Sequence, residues 1–170
     1  RHAFRAASSL KPKNIVLHPG YSDKKFKGDI GAWLAQSLKT WPPFIEEAQR
    51  LNVTIAAENV FDKEPTALKT LVETINSPFF RVCLDTGHIN AFATADMEDW
   101  WKALGQYVSE VHLHDNNGSD DEHLPLGEGS IDFKRFFTLL KIYSKNPIYT
   151  IEPHGEEELK RAVIAITKFI

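Results

Sequence analysis

Short continuous apolar runs recur along the chain and predict its strands. They are bounded by polar or glycine-containing segments, and apolar positions are not separated by polar ones in alternation. Such runs are typical of strands buried on both faces of a parallel sheet. The predicted strands cover residues 14–17, 53–57, 79–84, 108–113 and 148–151.

Amphipathic segments follow these runs and predict helices. Apolar residues recur there at spacings of three and four, as on one face of a helix. Pro42 and Pro43 suit the first turn of a helix, and Asp132 suits an N-cap. The predicted helices cover residues 30–38, 44–51, 68–75, 97–104, 133–140 and about 156–170, and residues 1–13 are expected to end an upstream helix. Strand and helix therefore alternate, which predicts an α/β fold around a parallel sheet.

Composition narrows the class of protein. A chain of 170 residues can form one domain, so residues 1–170 are predicted to be a single domain. The net charge of −3 provides no basic field for nucleic acid or membranes. The single cysteine, Cys83, excludes an intramolecular disulfide and favours a reducing, cytoplasmic location. No apolar run has the length of a membrane span, so we expect no membrane association.

Residues able to bind metal or transfer protons stand at the C-terminal end of every predicted strand. Because parallel strands end at the same edge of a sheet, these side chains are expected to form one site. Each of them also has a possible structural role: Asp85-Thr86, for example, would suit a helix N-cap. In chain order the strand-end residues are His18, Glu58, Asp85, His112 or His114, and Glu152.

The stretch from Val111 to Gly129 is especially rich in such residues. It contains three of the seven histidines together with several carboxylates. Imidazole with carboxylate suits a divalent metal such as Mn, Zn, Co or Mg, and does not resemble a thiolate site. His112 and His114 point to one face of their strand. Only one of them is needed as a ligand, and the other would hold a carboxylate ligand in place. Asp85 and His88 have a workable two-ligand spacing on a first helical turn.

Together these motifs resemble the xylose-isomerase-like TIM-barrel superfamily, which includes sugar isomerases and epimerases and also endonuclease IV (AP endonuclease family 2). The motifs are His18-Pro19-Gly20, Glu58-Asn59, Asp85-Thr86-Gly87-His88, His112-Leu113-His114-Asp115, Asp121-Glu122-His123 and Glu152-Pro153. The resemblance implies a (β/α)8 TIM barrel of which this chain supplies about strands four to eight, the C-terminal part. It also predicts that this partial barrel is completed by upstream sequence or by another copy, as in a homo-oligomer.

The resemblance further implies roles for individual residues. In the isomerase-type members, one divalent metal would be held by residues matching Glu58, Asp85, His112 and Glu152, and Glu58 and Glu152 would transfer the proton through an ene-diolate. His88 would then contact the substrate, and His114 with Asp115 would support the ligands or contact the substrate. In the endonuclease-type members, a three-zinc cluster would also include His18, His88, Asp121 and His123. Five residues are therefore expected to bind substrate or additional metal: His18, His88, His114, Asp121 and His123.

Charge near the site separates the two functions. DNA binding requires cationic phosphate contacts, but the loop from Asn116 to Glu122 carries acids and amides, and positive charge is confined to Lys24, Lys25 and Lys27. The favoured hypothesis is a metal-dependent isomerase or epimerase of a sugar, a sugar phosphate or a related small carbonyl compound. Hydrolysis of abasic DNA by an endonuclease IV-like site is the alternative, and DNA is a partner only in that case. A barrel that binds a metabolite without catalysis is a third hypothesis.

Overall fold

The computed structural model describes residues 2–170, and in that range five strands form a single parallel sheet. Its strand order is the order of the chain, each strand pairing with the next. The sheet curls into a half-barrel, which confirms the predicted α/β class and the partial TIM barrel. The strands are β1 (Asn14–Leu17), β2 (Thr54–Glu58), β3 (Phe80–Asp85), β4 (Val108–Leu113) and β5 (Ile148–Ile151).

Helices connect the strands, as the apolar spacing predicted. They pack mainly against the sheet or against neighbouring helices. In the described range they are α1 (His2–Leu10), α2 (Asp23–Phe26), α3 (Ile30–Thr40), α4 (Pro42–Leu51), α5 (Thr66–Ile75), α6 (Thr86–Phe92), α7 (Met97–Leu104), a 3-10 turn (Gly105–Tyr107), α8 (Phe133–Tyr143) and α9 (Glu156–Ile166). None of the helices between residues 2 and 170 is long and apolar enough to cross a membrane.

Three local predictions needed correction. The polar segment after His18 contains the short helix α2, which ends where Lys27 takes a left-handed conformation at φ 53°. Helix α6 was not among the predicted helices, but the N-cap expected as the alternative role of Asp85 is confirmed, since its side chain accepts the backbone N–H of His88. The last helix ends at Ile166 instead of continuing to residue 170.

The core lies between the outer face of the sheet and the helices. Trp100 and Trp101 on α7 are fully buried, and Trp101 packs against Phe136 of α8 with ring centroids 5.2 Å apart. Burying side chains of this size supplies most of the favourable free energy of folding. The inner face of the curled sheet is different, because it carries polar side chains toward its C-terminal edge.

Register places those polar side chains side by side. Glu58 and Asp85 are the last residues of β2 and β3, and Asp85 pairs with His112 on β4. Glu152 follows β5 immediately, and its backbone N–H donates to the carbonyl of Leu113. Neighbouring strands lie about 4.8 Å apart, so residues at matching strand ends come within reach of one ion.

Candidate metal centre

Four side chains converge at the C-terminal edge of the sheet, and we call them the strand-end group: Glu58, Asp85, His112 and Glu152. Each offers one ligand atom, and these four atoms lie within 4.8 Å of one another. Nδ1 of His112 lies 2.9 Å from Glu58 Oε1, 3.1 Å from Glu152 Oε1 and 3.7 Å from Asp85 Oδ2. Three carboxylates thus approach a single ring nitrogen.

The charges of this group suit a divalent cation. Burial by itself would lower the pKa of His112, but hydrogen bonds with acidic neighbours, Glu110, Glu152 and Glu58 among them, raise it well above its usual range. Burial would raise the pKa of Glu152, yet the bond with His112 lowers it. The site therefore favours positive charge at the position where the carboxylates meet. Three carboxylates with one imidazole fit Mn, Mg, Co or Zn.

Asp85 is held in place by His114. Both Asp85 oxygens lie 3.1 Å from His114 Nε2, and one of them accepts the backbone N–H of His88 at 2.7 Å. Burial would raise the pKa of Asp85, but the bond with His114 lowers it. Gly87 makes room for this arrangement, since a Cβ there would lie only 1.9 Å from Cε1 of His114. His114 therefore orients a strand-end carboxylate, the second of the two roles expected for this histidine pair.

A second set of polar residues lies beside the first, and we call it the loop group: His88, Asp121 and His123. Asp121 Oδ2 lies 3.3 Å from Nε2 of His88 and 3.3 Å from Nε2 of His123. Asp121 Oδ1 lies 3.6 Å from Nδ1 of His114, and within residues 2–170 neither of these two buried atoms has a hydrogen-bond partner. The ring of His123 stacks on that of His114 at 3.8 Å.

Backbone carbonyls fix the orientation of both histidines in the loop group. Nδ1 of His88 lies 2.8 Å from the carbonyl of Asn59, and Nδ1 of His123 lies 2.8 Å from the carbonyl of Glu152. A carbonyl only accepts, so each Nδ1 carries a proton and donates it. In the neutral rings, each Nε2 then turns a lone pair toward Asp121. Each lone pair is repelled by the negative carboxylate of Asp121, and a proton or a metal cation between these atoms removes that repulsion. Histidines whose Nδ1 is held by a backbone carbonyl are common among metal ligands.

His18 joins the strand-end group from β1. Its Nε2 lies 3.0 Å from Glu58 Oε2, although 64% of its side chain is exposed. The structure thus gathers all the residues singled out from the sequence at one edge: His18, Glu58, Asp85, His88, His112, His114, Asp121, His123 and Glu152.

Two buried polar residues of the site had no predicted role, although Asn59 stands in the motif Glu58-Asn59. Glu110 lies on β4 beneath His112: it accepts the Thr150 hydroxyl at 2.6 Å and the Asn14 amide at 2.9 Å, and its Oε1 is 3.7 Å from His112 Nε2. Asn59 bonds the backbone of Asp85 in both directions. An acidic residue inside the apolar run 108–113 could have identified Glu110 as a buried polar residue of the site. Nothing in the sequence indicated that Asn59 binds the backbone of Asp85.

The role expected for Asp115 was wrong. Its position after His114 predicts a support for the ligands or a contact for substrate, but Asp115 is fully buried and binds the backbone of its own loop. Its carboxylate accepts backbone N–H groups of Gly127, Gly129 and Ile131. Asp115 therefore closes the loop that carries Asp121 and His123, because a carboxylate can satisfy several amides that would otherwise be buried unpaired.

The family model described as "Xylose isomerase-like TIM barrel" matches residues 1–169. The chain belongs to the xylose isomerase-like TIM-barrel family. Among curated members of this family, the uncharacterized protein MJ1311 of Methanocaldococcus jannaschii is 31% identical over 159 residues, which cover 89% of this chain and 54% of that protein. L-ribulose-5-phosphate 3-epimerase UlaE of Escherichia coli is 30% identical over 115 residues, covering 66% of this chain and 40% of the epimerase.

A solved member of the xylose isomerase-like family has the same fold. The crystal structure of a D-tagatose 3-epimerase-like protein matches with a TM-score of 0.85 and 26% identity, covering 98% of this chain and 65% of that one. The chain thus spans about half the length of the curated relatives it matches. Sugar epimerases are represented among its relatives and its structural neighbours.

Proposed function

We propose that the protein acts as a divalent-metal-dependent isomerase or epimerase of a sugar or a related small hydroxycarbonyl compound. The observation that carries this proposal is the strand-end group, in which one imidazole and three carboxylates approach a common point. The similarity to a ribulose-phosphate epimerase and to a tagatose-epimerase-like protein supports a sugar as substrate. The oxygen-rich donor set supports Mn, Co, Mg or Zn as the metal.

In this proposal Glu58 and Glu152 exchange the proton. They reach His112 on β4 from opposite sides, one from the end of β2 and the other from just after β5. Glu58 is almost fully buried and held by His18, whereas the Glu152 side chain is 31% exposed. One carboxylate removes a proton from the carbon next to the carbonyl, and the other returns a proton on the opposite face.

The remaining residues hold this pair and the substrate in place. Asp85 and His112 complete the metal-binding set, and His114 orients Asp85. A bound divalent cation supplies polarisation of the carbonyl and stabilisation of the negative charge that develops on its oxygen. His88, whose Nε2 lies 3.3 Å from Asp121 Oδ2 beside the strand-end group, is proposed to contact a substrate hydroxyl.

Solvent exchange tests the role of Glu152. In the full-length protein, Glu152→Gln should abolish exchange of the substrate's carbon-bound proton with deuterated water, with kcat lower by roughly a thousandfold or more. Glu156→Gln, four residues further along the chain and strongly exposed, is the matched control and should exchange normally. Retained exchange in Glu152→Gln would refute its role as acid or base.

Hydrolysis of abasic DNA is a second candidate, and the loop group favours it. Two anchored histidines and Asp121 form a geometry suited to a further cation. Together with the strand-end group and His18, they would account for the ligands of a multi-zinc site. The acidic loop argues against DNA, since Asp120, Asp121 and Glu122 would face phosphates.

Metal content separates the two candidates. The full-length protein is loaded with zinc or manganese, dialysed and analysed for metal by mass spectrometry. About one ion per chain supports the isomerase, whereas three zinc ions together with cleavage of abasic DNA would establish the endonuclease and refute the primary proposal.

A further inference from the structure

Glu152 is followed by a short segment whose histidine has no part in the function proposed above. Residues 152–155 connect β5 to α9, and His154 lies two positions after Glu152. His154 is exposed, yet its ring stacks on that of His123, with centroids 4.3 Å apart and planes 22° from parallel. The segment after β5 therefore contacts the loop after β4 through two imidazole rings.

The His123 ring lies between two other imidazoles, and we call His114, His123 and His154 the histidine stack. On one face His123 stacks against His114, with centroids 3.8 Å apart and planes 2° from parallel. Two rings stacked against the same face would overlap each other, so His154 covers the opposite face. Stacked aromatic pairs stabilise a structure beyond the area that they bury. The exposed His154 thus ends a stack that begins at the buried His114.

The edges and the backbone of His123 are held as well. Its Nδ1 donates to the backbone carbonyl of Glu152 at 2.8 Å, and its Nε2 lies 3.3 Å from Asp121 Oδ2. The backbone of His123 has a positive φ of 53°, which is costly for a residue other than glycine. Such a conformation persists where the surrounding contacts fix it. Stacking on both faces of the ring supplies contacts of this kind.

The His123 ring in turn holds the backbone of Glu152. The N–H of Glu152 donates to the carbonyl of Leu113 at 3.2 Å, and its own carbonyl accepts from His123, so β4 and the loop after it bind both of its backbone groups. Pro153 has a fixed φ and restricts the residue before it to extended conformations. A displacement of His154 is therefore passed on to Glu152 through a stiff connection.

We propose that His154 is a positioning residue for Glu152, acting through the stacked ring of His123. The inference rests on the proposed isomerase or epimerase function, in which Glu152 transfers a proton. Oε1 of Glu152 lies 3.1 Å from His112 Nδ1, and a misplacement of about 1 Å in such a group can lower a rate about a hundredfold. The role requires a flat ring at position 154 and does not require its nitrogens.

Replacing the ring separates positioning from substrate binding. Kinetics of the full-length, metal-loaded protein are measured with whichever of D-tagatose, D-allulose and L-ribulose 5-phosphate it epimerises fastest. His154→Ala should lower kcat roughly tenfold while KM changes less than about threefold, because the substrate contacts remain. His154→Phe keeps a flat ring and should retain about half of the wild-type kcat or more. A raised KM with unchanged kcat in both variants would assign His154 to substrate binding and overturn the proposal.

Hydrogen exchange of the Glu152 N–H tests the histidine stack without any substrate. In the full-length protein, followed by NMR, His154→Ala should speed this exchange roughly threefold to tenfold, and His154→Phe should restore the protection. Amides of α8 are the internal reference, since a general loss of stability would speed their exchange too. His2→Ala, which removes another exposed histidine at the far end of the chain, is the matched control and should change neither kcat nor exchange.

The two measurements distinguish failure of the positioning role from failure of the epimerase. Faster Glu152 exchange in His154→Ala that His154→Phe reverses supports the positioning of Glu152 even if none of the three sugars is turned over, a result that would count against the epimerase alone. Unchanged Glu152 exchange in His154→Ala, or equal acceleration of the α8 amides, overturns the positioning role and leaves the epimerase intact. An unchanged kcat in His154→Ala, or a lowered kcat that His154→Phe fails to restore, overturns it as well.

Discussion

Asp85 and Asp62 are both buried carboxylates near the open edge of the sheet, yet their surroundings are opposite. Asp85 is fully buried and meets His114 Nε2 with both oxygens and the His88 N–H with one. Asp62 is 4% exposed and accepts one hydrogen bond. Burial would raise the pKa of each carboxyl, but the bond with His114 lowers that of Asp85, while that of Asp62 stays raised at about 6.

The difference shows that partners, and not depth of burial, decide whether a buried carboxylate is stable as an anion. Around Asp85 the chain supplies its own cationic and N–H partners, so the region is organised before any ligand arrives. Around Asp62 the described chain supplies one donor and leaves the other oxygen without a hydrogen-bond partner. The first arrangement suits the metal ligand proposed above, whereas the second leaves a carboxylate that is costly to ionise.

Removing the charge of Asp85 should have the largest effect on stability and on metal affinity. Asp85→Asn leaves His114 buried without its anionic partner, so we expect the free energy of unfolding to fall by about 3 kcal/mol. Metal affinity should fall by more than about a hundredfold, because a ligand of the strand-end group is lost. Urea unfolding and calorimetric metal titration measure the two effects, with the exposed Asp99→Asn as control. Unchanged metal affinity would exclude Asp85 as a ligand.

Removing the charge of Asp62 should increase the free energy of unfolding, the opposite of the effect expected at Asp85. Its pKa is about 6 in the folded protein against an ordinary 3.8, so the folded state binds the proton more tightly than the unfolded state. The contribution of Asp62 to the free energy of unfolding therefore falls as pH rises from about 4 to about 6, by up to about 3 kcal/mol. Asp62→Asn should escape this loss and be more stable above about pH 6.

Urea unfolding between pH 4 and pH 7 tests that prediction, with Asp23→Asn measured in parallel. Parallel pH curves for wild type and Asp62→Asn would show that Asp62 is already stabilised as an anion, contrary to the contrast drawn with Asp85.

The surroundings of Glu110 are intermediate between those of Asp85 and those of Asp62. Its substitution should have the smallest effect, which is expected on metal affinity. Burial would raise its pKa, but bonds to His112, Thr150 and Asn14 lower it. Because Glu110 faces the ring nitrogen of His112 opposite the strand-end group, Glu110→Ala should weaken metal binding by roughly tenfold, and Glu110→Gln by less. Thr150→Val removes only one donor to Glu110 and serves as control. A Glu110→Ala protein with wild-type metal affinity would show that His112 needs no such support.

The sequence was most informative where local pattern and site coincide. Continuous apolar runs predict parallel strands, and such strands end at one edge, so Glu58, Asp85 and Glu152 could be grouped without a structure. Helix α6 was not delimited because its start depends on a cap that is also a predicted ligand, Asp85.

Residues defined by distant partners could not be predicted in this way. Asp115 was assigned to the site by its position after two histidines, but its partners are amides 12 to 16 residues further along its own loop. Asp62 stands in a polar loop where solvent exposure is the ordinary expectation. It is nevertheless buried, beside a cavity that it lines together with the loop after β1, about 40 residues earlier in the chain, and no local pattern describes that proximity.

Glu110 also has a mechanical consequence. Its carboxylate joins Asn14 of β1, 96 residues away, and Thr150 of β5 to the middle of β4. These bonds cross the concave face of the sheet, so the sheet cannot flatten without breaking them. Curvature also determines how closely Glu58 and Glu152 approach across that face. The bending stiffness of the half-barrel and the distance between its two proposed proton-transfer groups are therefore controlled by the same buried carboxylate.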